Sequence, residues 1–374
     1  MKAVLQPAMD EQRPTSADAA PRSPQPSPQH GRDFDWVFIG PQGLRVGWSL
    51  LLFAGLYYLS REVVGALFFA AGLIHDTPAD SAGAVLIGEL VPFVSLVAAA
   101  LVIILIEDRR IPSYNLAGPR RGRHFLSGLV AGFAAISLLV GGLAWGGWLR
   151  LAPAALHATA AIRLGALWVV AFLVVASVEE GLFRCYALST LTRGINFWWA
   201  LAAQVAMCCY LALDTGRNGA YGVYLAAALG FFPCLILHRN SAPHSGAFWQ
   251  AAWVTSTFFG FYHTSNGGEN WIGVFAAAAI GFIFCVSVFV TGSAWWAIGC
   301  HTAWDWAETF FYGTADSGQQ GQGHLLSATP ADNPLLSGGA DGPEGSLLVV
   351  AAILLLLLFL LIFYARNAAG QPAD

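Results

Sequence analysis

Charge is what this chain has least of. Only 11% of its 374 residues are Asp, Glu, Lys or Arg, against about 25% in an ordinary soluble domain, and so few polar groups cannot cover a water-soluble globule. Lysine is nearly missing, since Lys2 is the one lysine among 18 basic residues and the net charge is -4. No basic stripe exists for nucleic acid to bind, which excludes it as a partner. Cys185, Cys208, Cys209, Cys234, Cys285 and Cys300 form no CxxC pair and all lie in apolar segments. That excludes a disulfide framework or a zinc knuckle and leaves small buried apolar residues. No HExxH occurs, so a zincin has no support. The first residues lack the short apolar core and small-residue cleavage site of a secretory signal peptide.

Apolar residues are abundant, at 56%, and come in blocks of about twenty, long enough to cross a hydrocarbon core of about 30 Å as helices. A membrane β-barrel would alternate apolar and polar residues in short segments, whereas 354–361 is continuously apolar. The fold class expected is all-α, a polytopic transmembrane helical bundle of about ten spans, with helices near 46–74, 85–106, 124–147, 164–190, 197–213, 220–237, 247–266, 271–291, 294–313 and 347–365. Residues 1–34, rich in Pro, Ser, Gln and charge, read as a disordered polar tail, and 44–366 as the transmembrane domain. The Gly, Asp and Ser-rich stretch 313–346 reads as a flexible outer loop without a catalytic motif. Five arginines at 109–123 and the basic residues of the tail belong on the cytoplasmic side. Ten spans then leave both termini cytoplasmic in a multi-pass protein of the cell membrane. Arg150, Arg163 and Arg217 fall on the outer side against that bias.

Three polar clusters interrupt the apolar blocks. In the first, Glu179, Glu180 and Arg184 lie within one spanning segment, where each charge costs on the order of 2.5 to 3.5 kcal/mol to insert. Glu180 and Arg184 are spaced i and i+4, in the favourable order for an ion pair. Glu179 is turned about 100° away with Phe183 at its own i+4 position. It is therefore the free carboxylate and the candidate general base. In the second cluster His263 ends an aromatic helix at the glycine-rich turn Asn266-Gly267-Gly268-Glu269-Asn270. In the third, His301 and Asp305 stand one turn apart on one helix face. Singly each admits a structural role; together a free Glu, two His and an Asp suit the activation of water and the stabilisation of an oxyanion. Counting about 1.5 Å per residue from the helix ends puts His301 near mid-membrane and His263 nearer the outer face.

Glu-Glu-x-x-x-Arg (Glu179, Glu180, Arg184), Phe-x-x-x-His (Phe259, His263) and His-x-x-x-Asp (His301, Asp305) occur in the order of the CPBP or Abi family, which the chain resembles over about 85–313. That family holds the type II CAAX prenyl endopeptidases and the bacteriocin-immunity proteins. Glu107-Asp108-Arg109-Arg110 with Leu116-Ala117-Gly118, and Thr291-Gly292-Ser293, add to the likeness. The resemblance implies an intramembrane endopeptidase acting on membrane-associated or prenylated-like peptides, with membrane lipid as its other partner. Its catalytic set would be Glu179, Glu180, Arg184, His263, His301 and Asp305. Glu179 and His263 would activate water, His301 and Asp305 would stabilise the oxyanion, and Glu180 would hold Arg184. Two features depart from the family pattern. A long spacer between Arg184 and Phe259 implies an added helical hairpin at about 200–246, and Asp305 stands where many members carry Asn. An ionised Asp donates no hydrogen bond, so Asp305 would be protonated or would orient His301. No cofactor is favoured, but Glu179, His263, His301 and Asp305 are also adequate zinc ligands. The alternative function is a non-catalytic immunity or scaffold protein of the same family.

Overall fold

The structure, a computed structural model, describes residues 35–368 except 42, 75–79, 154–155, 214–218 and 242–244; the tail expected at 1–34 lies outside the described residues. Ten helices stand where the apolar blocks do. They are α1 (Val46–Ala70), α2 (Ala82–Glu107), α3 (Arg121–Trp145), α4 (Ala158–Glu180), α5 (Phe197–Leu213), α6 (Gly219–Asn240), α7 (Gly246–His263), α8 (Trp271–Thr291), α9 (Trp295–Trp306) and α10 (Val349–Ala368). The chain is an all-α polytopic membrane protein. Among the described residues five helices are long and apolar enough to cross a membrane: α1, α2, α3, α8, and α4 with its continuation to Leu191. The apolar stretches Phe197–Leu211 and Val349–Ile362 are shorter.

Two helices carry π segments, Gly181–Ala187 after α4 and Ala307–Tyr312 after α9. Such segments add a residue to the turn and are frequent at functional sites. Local chemistry sets the helix ends. Ser81 caps α2 by accepting from the Ala84 amide at 3.3 Å, and Asn270 caps α8 by accepting from Ile272 N at 2.7 Å. Gly292, at φ 73, ends α8.

α3 and α9 meet backbone to backbone. A Cβ at Gly128 or Gly132 would run into the carbonyl oxygens of Trp296 or Cys300, and one at Gly299 into that of Phe125. Small residues at this spacing let two membrane helices touch. The seam places His301, two residues past Gly299, at a fixed distance from α3. The largest core cluster, with Ile136, Leu143, Trp296, Phe284 and Leu360, packs around it.

The 313–346 segment differs from the flexible loop expected. Residues Leu326–Pro330 pair antiparallel with Leu149–Pro153, in the register Leu149↔Pro330 to Pro153↔Leu326, and Ala315–Asp316 pairs with Gln319–Gln320. Asp341 Oδ2 accepts from the Asn270 amide at 3.0 Å, and Asn270 Nδ2 donates to the Gly345 carbonyl at 3.2 Å. Composition suggested looseness because glycine and serine carry no packing signal; the partners that pin the segment, Asn270 against its buried Asp341 and the strand Leu149–Pro153, are distant in sequence.

Helices α5 and α6 occupy the span of the expected hairpin. Polar bonds join them to α7: Gln204 Nε2 donates to Thr257 Oγ1 at 2.6 Å, and Gln250 Nε2 to the Cys234 carbonyl at 2.9 Å.

Candidate functional site

Arg184 and Glu180 are both fully buried. Arg184 Nη1 donates to Glu180 Oε1 at 3.3 Å, and its Nε lies 3.2 Å from Oε2, so the i, i+4 pair survives the π turn between them. The guanidinium also stacks over the Phe259 ring at 4.3 Å. Gly281 makes room for it, because a Cβ there would press on Nη2 at 2.5 Å. Asn115 Nδ2 donates to the Arg184 carbonyl at 2.7 Å, and the Asn115 carbonyl accepts from Ala294 N at 2.8 Å. One short loop thereby anchors the first and third motifs together.

Glu180 does more than the spacing suggested. His301 Nδ1 donates to its Oε1 at 3.0 Å, so one carboxylate holds both Arg184 and His301. The other imidazole nitrogen, Nε2, stands 3.7 Å from Glu179 Oε2 and 3.5 Å from Asp305 Oδ2. Those distances are long for hydrogen bonds. The Nε2 edge is therefore available to an oxygen entering between the two carboxylates. Glu179 has no Lys or Arg partner in an ion pair among the described residues, as the sequence indicated, but it does face His301.

His263 stands apart from this network. Its Nδ1 donates to the Phe259 carbonyl at 2.8 Å, which fixes the tautomer and leaves Nε2 as the acceptor in the neutral ring. The Phe259 ring lies between the two imidazoles, 4.7 Å from that of His263 and 6.2 Å from that of His301. Glu179, His263, His301 and Asp305 line one cavity of about 380 Å³. The depth count set the two histidines at different levels, whereas both line this one cavity.

The same cavity is walled by residues the sequence reading passed over: Glu89 of α2, Trp168 of α4, and Asp316 and Glu344 of the 313–346 segment. Glu89 and Glu308 each interrupt an apolar helix, and that signal could have singled them out; Asp316 and Glu344 left none in a polar stretch. A larger cleft of about 750 Å³, between residues 40–51 and Leu191–Trp199, has no carboxylate or imidazole in its walls. Among the described residues, the set of carboxylate, His or Cys ligand atoms drawn within 4.8 Å of one another is Glu308, Asp316 and Glu344. The zinc set Glu179, His263, His301 and Asp305 does not converge in that way.

Residues 235–307 match the family described as type II CAAX prenyl endopeptidase Rce1-like. The matched stretch holds His263, His301 and Asp305 and stops short of Glu179, Glu180 and Arg184. It is similar to the family that the three motifs resemble, which is that of CAAX-type intramembrane proteases. No curated protein and no solved structure matches the chain.

Proposed function

We propose that this chain is a membrane-embedded endopeptidase that hydrolyses peptide bonds of membrane-associated or prenylated-like substrates. The observation that carries the reading is the convergence of Glu179, His301, Asp305 and His263 on one cavity, with Glu180 and Arg184 buried behind it. Glu179 takes one proton of the attacking water while His263 Nε2 accepts a hydrogen bond from its other O–H, and Glu179 returns the proton to the amine nitrogen as the C–N bond breaks. His301, acting as the imidazolium with its Nδ1–H held by Glu180, presents Nε2–H to the carbonyl oxygen as negative charge develops. Asp305, 3.5 Å from Nε2, orients that ring. Water is activated without a metal, since Arg184 stands beside Glu180 and repels a dication.

The test begins with mass spectrometry of membrane-protein termini from cells with and without the protein, which should reveal a small set of substrates cut only when it is present. A peptide spanning such a cut, given to the purified protein, should be cleaved after dialysis against a zinc-selective chelator with less than a twofold change in rate. Stoichiometric zinc, with activity lost on its removal and regained on its return, overturns the metal-free mechanism. Identical termini with and without the protein overturn the endopeptidase.

Orientation decides from which side a substrate is presented. With the arginines of 109–123 cytoplasmic, residues 313–346 and the cavity wall they build face away from the cytoplasm. Reporter fusions at 115 and 330 are expected on opposite sides of the cell membrane. Both on one side would remove this topology.

A further inference from the structure

A second polar centre lies against the outer wall of the cavity. Glu308, on the π segment after α9, is fully buried, and neither of its carboxylate oxygens has a hydrogen-bond partner among the described residues. Asp316 and Glu344 approach it from the 313–346 segment, so that one oxygen from each of the three lies within 4.8 Å of the others. Among the described residues none of the three pairs with Lys or Arg. Burial, and then the charge of Glu344, push Asp316 up to about 7, and burial raises Glu344 above the usual carboxylate range. Three carboxylates gathered out of water need a counter-charge.

The two segment carboxylates are held in place by their neighbours. Glu344 Oε1 accepts from Trp304 Nε1 at 2.7 Å and its Oε2 from Ser317 Oγ at 3.0 Å; Asp316 Oδ2 accepts from Thr309 Oγ1 at 3.4 Å. Each such oxygen keeps a further lone pair. Outer partners of this kind orient the carboxylates of metal sites. Glu308 is the unpartnered member, aimed into the space between the other two.

We propose that Glu308, Asp316 and Glu344 bind a hard divalent cation of the calcium or magnesium class, which ties the 313–346 segment to the end of α9. An all-oxygen, all-carboxylate set selects such ions over zinc or copper. Bonds of about 2.3–2.6 Å for calcium, or about 2.0–2.1 Å for magnesium, allow ligand oxygens up to about 4 to 5 Å apart across the ion, and the three oxygens here lie within 4.8 Å of one another. Trp304 and Asp305 join the two centres, because both line the catalytic cavity together with Asp316 and Glu344. The cation would thereby stiffen one wall of that cavity without touching the reacting atoms.

The experiment uses the purified full-length protein in detergent, stripped with a general chelator and titrated separately with calcium, magnesium and zinc chloride. Calorimetric stoichiometry and thermal unfolding are the readouts. One calcium or magnesium ion per chain is expected, with Tm raised by about 5 °C at a hundredfold excess over Kd; the separate titrations tell which ion binds more tightly. Glu308→Gln should abolish both the binding and the rise. Glu344→Gln, at a less buried position, should weaken binding at least tenfold should the first variant fail to fold. Glu179→Gln should bind as the unaltered protein does, which separates this site from the proposed peptidase centre. No binding of either ion overturns the proposal, and so does Glu308→Gln that is more stable in every buffer, since the cluster would then be held by protons. Binding lost in Glu179→Gln but kept in Glu308→Gln also overturns it.

Discussion

Glu180→Gln is expected to remove most of the folded protein from the membrane, at a cost of about 3 to 5 kcal/mol, the usual penalty for stranding one member of a buried pair. A folded domain has only about 5 to 15 kcal/mol in hand. Arg184 is fully buried and Glu180 is its only ion-pair partner among the described residues, so the substitution leaves a guanidinium with aromatic faces for company. Arg184→Met should cost less than Glu180→Gln, because Glu180 keeps the His301 Nδ1–H and methionine fills part of the space beside Gly281. Thermal unfolding in detergent, with yield after extraction, measures both. Equal stability of the Glu180 variant and the unaltered protein would remove the anchoring role given to this pair.

Glu179→Gln is expected to act in the opposite sense, leaving Tm within about 2 °C while lowering kcat/KM by about 10²- to 10⁴-fold, the range a general base contributes. Its side chain is 22% exposed, to the cavity, and its contact with His301 at 3.7 Å is loose, so little stability depends on its charge. The amide keeps the shape and loses the ability to take a proton. A variant that cleaves at the unaltered rate eliminates Glu179 as the base. A variant that unfolds while Glu180→Gln stays folded reverses the division of labour between the two carboxylates.

Much of this arrangement could be read from sequence because membrane insertion makes every polar residue conspicuous. Ten apolar blocks correspond to ten helices, and the i, i+4 spacing of Glu180 and Arg184 gave their ion pair. The second bond of Glu180, to His301, joins residues 121 positions apart, and no periodicity reports it. The π segments at Gly181–Ala187 and Ala307–Tyr312 escaped notice too, since nothing in their composition separates them from an α-helix. Counting residues set His263 and His301 at different depths, whereas both line one cavity; a count carries no information on how helices pack. The 313–346 segment was misread because its order rests on hydrogen bonds to α8 and on a strand pair with Leu149–Pro153. Neither leaves a hydrophobic pattern.

The contact between α3 and α9 has no side chain between the two backbones, hence nothing at that point that can change rotamer. Sliding one helix along the other by a turn, about 5.4 Å, would bring His124 against the Trp296 carbonyl or Ile136 against that of Cys300, where even a Cβ does not fit. The backbone that carries His301 is thus held in register by main chain against main chain, and the bond from its Nδ1 to Glu180 sets the ring.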